Sequence, residues 1–248
     1  MTGDDKGGSF GQDQAKFDRH AREYAVLVEQ SVRASGYSAA FFTERKVLEI
    51  RDTLREAGVL GRPLQVLNFG CGVGSSEPFL AREFPRAEIR SIDVSRESLA
   101  AARESCRGLP NVTFSEFDGK TVPFPGPFDI ILVAGVLHHI APADRPVVVR
   151  ELRRVLAKDG FLFLFEHNPV NPLTRRAVRD CPFDDDAVLL PPRAMRALLD
   201  AAGLSSAVRY IHFFPGALKR LLRLERYLRW LPLGAQYYCI AGNRVPRP

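Results

Sequence analysis

The chain contains no apolar run of the ~18 or more residues that a membrane-crossing helix requires, which argues against a transmembrane segment. Its N-terminus, MTGDDKGGSFGQDQ, is polar and glycine-rich and lacks the apolar core of a signal peptide, so residues 1–14 are expected to form a disordered tail. Cysteine is scarce. Cys71, Cys106, Cys181 and Cys239 stand far apart with no C-x-x-C pair, which argues against a zinc site or disulfide framework and for a reducing cytoplasm. No internal repeat is evident. Acids are fewer than bases, 29 against 35, for a net charge of +6. Much of that excess is local. Between Arg209 and Trp230 there are six basic residues and one acid, Glu225, a net of +5, so a general nucleic-acid binder is not implied.

What is present is an ordinary globular composition, 46% hydrophobic and 26% charged, over 248 residues. That length suits one sizeable α/β domain and would cramp a second. Residues 16–34 and 38–57 read as helices, the second ended by Gly58 and Gly61. Strand and helix then alternate: strands at 64–69, 87–93, 111–117, 128–135 and 161–167, and helices at 75–84, 95–105 and 143–157. This alternation predicts a parallel sheet covered on both faces, with FDIILVAG at its centre. Ser95 is the expected N-cap of its helix, and Pro78 is tolerable only in a first turn. Residues 168–192 read as a long irregular insertion before a helix at 193–203. Two further strands, 207–214 and 235–242, flank a basic helical segment at 215–233.

The stretch VLNFGCGVGSS runs a strand into glycines and then a helix. Glycines allow the tight turn and let a ligand approach the backbone, while the helix N-terminus offers unpaired N–H groups. Gly70, Gly72 and Gly74 fit that device, and Asp93 ends the next strand 19 residues after Gly74, where a carboxylate accepts ribose hydroxyls. That spacing suits NAD and S-adenosylmethionine alike. The G-x-G-x-G pattern, followed by Ser75 and Ser76, departs from the G-x-G-x-x-G of dinucleotide folds.

VLNFGCGVG, SIDVS, FDGKTVPFPGPFDIILVAGVLHHI and LRRVLAKDGFLFLFEH follow one another as in class I S-adenosylmethionine-dependent methyltransferases. The chain resembles that family over residues 64–167 continuously and more loosely over the last strand pair, and the small-molecule branch is the nearest in pattern. The resemblance implies a Rossmann-like, seven-stranded, mostly parallel sheet with an antiparallel last strand and helices on both faces. It implies an N-terminal helical cap (15–60), a cofactor-binding core (61–167), the insertion (168–192) and a C-terminal half (193–248). It also implies that Gly70, Cys71 and Gly72 pass the methionine part of S-adenosylmethionine, and that Asp93 holds the ribose diol with Val94 against the adenine. Asp118, with Gly119 beside it, would accept the adenine amino group; Ala134 and Gly135 would line the sulfonium, and S-adenosylhomocysteine would be the product. Asn68 stands where the family commonly has aspartate. Either its acceptor oxygen replaces a charged one, in which case Asn68→Asp strengthens cofactor binding, or it is a turn residue.

Methyl transfer is an in-line displacement, so the protein mainly aligns the acceptor and excludes water. A hydroxyl acceptor also benefits from a base. His138 and His139, after the fourth strand, are the candidates, with His138 slightly ahead; the alternative is a structural role for LHHI. Glu166, His167 and Asn168 form a second polar cluster on the same rim, or cap a loop. The triple acid Asp184–Asp186 has no histidine at ligand spacing and reads as a solvated turn, so no metal is expected.

Acceptor specificity is expected in the N-terminal helices, the insertion and the 215–233 segment, where leucines, Tyr227 and Trp230 interleave with Lys219, Arg220, Arg223, Arg226 and Arg229. That segment reads as an interfacial helix on an anionic membrane, a lid over a phosphate-bearing acceptor, or an ordinary surface helix. The expectation is therefore methyl transfer to a small-molecule hydroxyl of a secondary metabolite, sugar or lipid-linked intermediate. The location is cytoplasmic, at most peripheral to the membrane's inner face. The N-P-P-[YF] tetrapeptide of enzymes that methylate amino groups of bases or glutamine is absent. An NAD-dependent oxidoreductase and a non-catalytic S-adenosylmethionine-binding partner protein are the alternatives.

Overall fold

Every run read as a strand is one, and for the inner strands the reason is burial on both sides. In the computed structural model, which describes residues 24–181, 184, 187–243 and 245, the strands are β1 (Gln65–Phe69), β2 (Glu88–Asp93), β3 (Val112–Glu116), β4 (Phe128–Ala134), β5 (Leu156–His167), β6 (Ser205–Ile211) and β7 (Gln236–Gly242). They form one sheet in the order β3-β2-β1-β4-β5-β7-β6. β1 to β5 pair in parallel, and β7 runs antiparallel to both β5 and β6. The most apolar strand, β4, is the middle one. β5 begins five residues before the expected Phe161: Leu156 pairs with Phe128, and the register then slips before Ile130 meets Phe161.

Side chains alternate across the sheet with period two. Ile131, Val133, Leu162 and Leu164 enter one core, while Ile130, Leu132, Phe161 and Phe163 enter the other. The first core is covered by α5 (Arg145–Val155) through Val148, Leu152 and Val155, and by α7 (Pro192–Ala201) through Met195 and Leu199. The second is covered by α2 (Ala39–Glu56) through Val47, Ile50 and Leu54, and by α3 (Glu77–Glu83) through Leu80. Burying each such side chain contributes about 1.5–3 kcal/mol, so both helical layers are held to the sheet by many comparable increments.

Local chemistry sets the helix starts. Ser38 caps α2 through Phe41 N (3.3 Å), and Ser95 caps α4 (Arg96–Ser105) through Ser98 N (3.0 Å). Pro78 sits in the first turn of α3, as its missing N–H requires. At the N-terminus the described chain begins with α1 (Tyr24–Val32); the expected tail 1–14 and the start of the 16–34 helix lie outside the described residues.

Two expectations are corrected. The 168–192 insertion carries a helix, α6 (Pro172–Arg179), whose N-cap Asn171 accepts from Leu173 N and Thr174 N, both at 3.0 Å. The 215–233 segment is not one amphipathic α-helix. It is a 3-10 run, Gly216–Leu224, kinked at Leu218, followed by the single turn α8 (Glu225–Leu228). Buried Glu49 of α2 ties this strap down: its Oε2 accepts from the Tyr238 hydroxyl at 2.8 Å and pairs with Arg229 at 2.7 Å.

Candidate active site

The chain order reverses between β1 and β4, and a crevice opens beyond the carboxyl ends of these strands, the usual ligand position in an open α/β sheet. The cavity there holds about 1160 Å³ of free space including its mouth. Of the residues expected to hold a cofactor, Asn68, Gly70, Cys71, Gly72, Asp93, Val94, Gly119, Ala134 and Gly135 line it. Gly74 and Asp118 are not in its wall. Gly74 (φ +79°) instead lets α4 approach, since a Cβ there would meet Ala102 and Cys106 at 3.0–3.2 Å. Asp118 Oδ1 accepts from Lys120 N and Thr121 N, at 2.8 and 2.6 Å, and so closes its own turn.

The glycine turn is held open by backbone conformation and one carboxylate. Gly70 and Gly72 both have positive φ, and a Cβ on Gly72 would meet no protein atom within 4 Å, so the ligand side of the turn is clear. Asp93 Oδ2 accepts from Gly72 N at 2.7 Å, and Oδ1 accepts from Ser95 N at 2.9 Å. Asp93 lines the cavity beside this turn, where a carboxylate can accept from a vicinal diol. With Val94 and Phe117 giving apolar walls, these donors and surfaces fit an adenosine bearing an amino-acid tail.

Asn68 has a different environment from the one expected. Its Nδ2 donates to Glu77 Oε1 at 2.8 Å, and the Ser91 hydroxyl donates to the same oxygen at 2.6 Å. Glu77 is fully buried, and burial pushes its carboxyl above the usual range despite those two bonds. Glu77 is also the first residue of α3, so the helix N-terminus that a dinucleotide pyrophosphate would need already faces a carboxylate.

At the mouth, the two histidines divide. His138 is buried, does not line the cavity, and lies between acids: Nδ1 meets Glu166 Oε2 at 2.5 Å, and Nε2 lies 3.6 Å from Asp184 Oδ1. Burial alone would depress its pKa, but the Glu166 and Asp184 carboxylates outweigh it and lift the ring to about 9. A ring that stays protonated at neutral pH is no general base. His139 does line the cavity, with Nε2 3.5 Å from the same Asp184 oxygen. Glu166 is a positioning residue, its other oxygen accepting from Leu137 N at 2.9 Å. Burial, then the His138 charge, lowers neighbouring His167 to about 4, and fully buried Asn168 holds loop carbonyls of Pro232 and Gly234.

Two wall residues carried no sequence signal. Thr43 and Lys46, one turn apart on α2, complete the cavity. Burial lowers the Lys46 pKa to about 8 although the Glu166 charge opposes it. Among the described residues Lys46 has no hydrogen-bond or ion-pair partner. Asp184, read as part of a solvated turn, is brought against both histidines by the insertion; Asp185 and Asp186 lie outside the described residues.

Residues 66–160 match the family model described as a methyltransferase domain. The trans-aconitate 2-methyltransferase of Mycobacterium tuberculosis is 32% identical over 173 residues, 63% of this chain and 64% of that protein. The one from Azoarcus is 28% identical over 65% of this chain and 61% of its own length. The chain thus spans less than two thirds of the curated relatives it matches. In fold it is similar to DhpI, solved as a complex with S-adenosylhomocysteine, with TM-score 0.62 and 18% identity over 96% of this chain and 98% of that one. It is also similar to the [4+2]-cyclase SpnF, with TM-score 0.56 and 20% identity over 80% and 82%. Glycine turn, Asp93 carboxylate and sheet order converge with the match of residues 66–160 to the methyltransferase-domain model, and over those residues the chain is similar to methyltransferases.

Proposed function

We propose that the chain transfers a methyl group from S-adenosylmethionine to an oxygen of a small-molecule acceptor. The observation that supports it most is the arrangement of one cavity: a clear glycine turn with Asp93 and Val94 at one end, and His139 and Lys46 in the wall beyond Gly135. S-adenosylmethionine, when bound, supplies a methyl group already activated on a cationic sulfur. The residues then have three tasks. Gly70–Gly72 and Asp93 orient the donor, the apolar walls of Val94, Phe117 and Ile140 exclude water, and His139 meets the acceptor oxygen. On a hydroxyl acceptor, the His139 imidazole takes the departing proton.

Lys46 favours an acceptor that carries an anionic group. A desolvated ammonium with no direct ion pair among the described residues is costly unless a ligand supplies one. The trans-aconitate relatives, by name, act on a polycarboxylic acid, which accords with a carboxylate in this pocket. The test is labelled-methyl transfer to matched acids and their amides, beside hydroxylated sugars and phenols. Turnover of acids but not of amides supports the reading. S-adenosylhomocysteine binding without NAD binding, by calorimetry, removes the oxidoreductase alternative, which Glu77 at the α3 N-terminus already disfavours.

We infer that the reaction takes place against an anionic lipid surface. Beyond the kink at Leu218, Leu221 and Leu224 stand three residues apart in the 3-10 run, where such side chains eclipse, and all three leucines are exposed. Tyr227, Trp230 (73% exposed) and Leu233 continue the apolar ridge. Lys219, Arg220, Arg223 and Arg226 flank it in solvent. Apolar wedge and cationic flank together match the chemistry of an acidic bilayer face.

A further inference from the structure

We propose that His138, His139 and Asp184 hold a divalent first-row metal ion at the mouth of the cavity. The three donor atoms lie within 4.8 Å of one another. Asp184 Oδ1 is 3.6 Å from His138 Nε2 and 3.5 Å from His139 Nε2. These separations exceed the ~2.7–3.0 Å of a charge-assisted hydrogen bond. They match the edge of a tetrahedron whose metal–ligand bonds are about 2.0–2.2 Å, which places ligands about 3.3–3.6 Å apart.

The surroundings are those of a ligand set. A metal-binding imidazole characteristically gives its other ring N–H to a carboxylate, and His138 Nδ1 does so to Glu166 Oε2 at 2.5 Å. This bond directs Nε2 of His138 toward Asp184, and an ion there would bind by displacing the Nε2 proton. The two rings lie close, with centroids 4.1 Å apart. Among the described residues, Asp184 N donates to Cys181 O at 3.0 Å, and Val188 N to His138 O at 2.9 Å. Beyond it Arg145 Nη2 donates to Val188 O at 2.8 Å, and the Tyr237 hydroxyl to Leu190 O at 2.6 Å. These bonds hold Asp184 and Val188 beside the histidines.

Two imidazoles and one carboxylate suit zinc and its neighbours better than magnesium or calcium, which take oxygen sets. Three protein ligands leave a position for water or an acceptor oxygen, and His139 places that position beside the cavity. The inference rests on the methyl-transfer reading only for the use of the ion. An ion held there would make both rings ligands and, in place of the His139 base of the ion-free chain, its charge would raise the acidity of a hydroxyl held beside it.

Binding is measured without donor or acceptor, so its failure leaves the methyl-transfer reading standing. Chelator-treated chain is titrated with Co²⁺ and with Zn²⁺, followed by visible absorption and calorimetry. One equivalent is expected. Loss of an outer-shell partner weakens metal sites roughly 10–100-fold, so Asp184→Ala and His139→Ala should each weaken binding by at least that factor while retaining S-adenosylhomocysteine binding. X-ray absorption of the zinc-loaded wild-type chain should show two imidazoles and oxygen, which keeps the test independent of how the variants fold. No stoichiometric binding, equal binding by both folded variants, or sulfur in the shell overturns the site.

Discussion

The Asn68 carboxamide donates to the Glu77 carboxylate, nine residues later at the start of α3, at 2.8 Å. Its Nδ2 is thus committed within the protein, while the residue still lines the cavity. It is the donor that makes a buried carboxylate tolerable at the base of the cavity.

Asn68→Asp should therefore weaken the protein, reversing the direction expected from the motif. Two carboxylates would share a site 2.8 Å across, so one must hold a proton or both must move apart. A loss on the order of 1–3 kcal/mol in stability is expected, with weaker S-adenosylhomocysteine binding. Asn68→Asp combined with Glu77→Gln should recover most of both. Thermal unfolding and calorimetric titration check this, and tighter binding by the single variant would sink it.

Lys46→Met separates binding from stability. The folded-state pKa of Lys46, about 8, lies below its ordinary 10.5, so the cost of its charge is fully present below pH 8 and is relieved as pH rises toward 10.5. At pH 7 the variant should be more stable by about 1–2 kcal/mol, and the wild type should close the gap above pH 8. For an acidic acceptor the variant's KM should rise, and wild-type affinity should fall as pH passes about 8. Unchanged KM for acids argues against Lys46 as the anion partner.

His139 and His138 should fail in different ways. His139→Gln faces the cavity and should lower kcat for a hydroxyl acceptor by roughly 10²–10⁴-fold, with little change in unfolding temperature. His138→Gln leaves buried Glu166 without its cationic partner, a loss of about 3–5 kcal/mol, visible first in thermal unfolding. Equal stability losses for both would contradict this division.

Replacing Arg220, Arg223 and Arg226 by glutamate should abolish co-sedimentation with vesicles rich in phosphatidylserine. Each cation near an acidic surface contributes about 1 kcal/mol, so removing three exceeds a 100-fold loss before repulsion is counted. Trp230→Ala should weaken binding even to vesicles of low charge. Methyl transfer to a soluble acceptor should persist. Unaltered sedimentation of the triple variant would falsify lipid docking.

Much of the fold was legible because burial on both sheet faces leaves continuous apolar strands, and LQVLNF, FDIILVAG and FLFLFEH could be little else. The parallel order, the glycine turn and the Asp93 carboxylate followed from that pattern and the linked motifs. Helix α6 was obscured by the prolines of NPVNP, of which Pro172 starts it after the Asn171 cap rather than breaking it. The 215–233 segment had helical composition, but its three-residue period belongs to a 3-10 run.

The sequence by itself determined the sheet, its helical layers and where a nucleoside would lie, since these depend on periodicities within short segments. The tertiary structure alone decided which charges meet. Glu77 under Asn68, Lys46 in the cavity wall, and Asp184 against His138 and His139 are contacts between segments 9 to 46 residues apart or on separate layers. Electrostatic energy depends on distance and burial, and neither can be read from spacing along the chain.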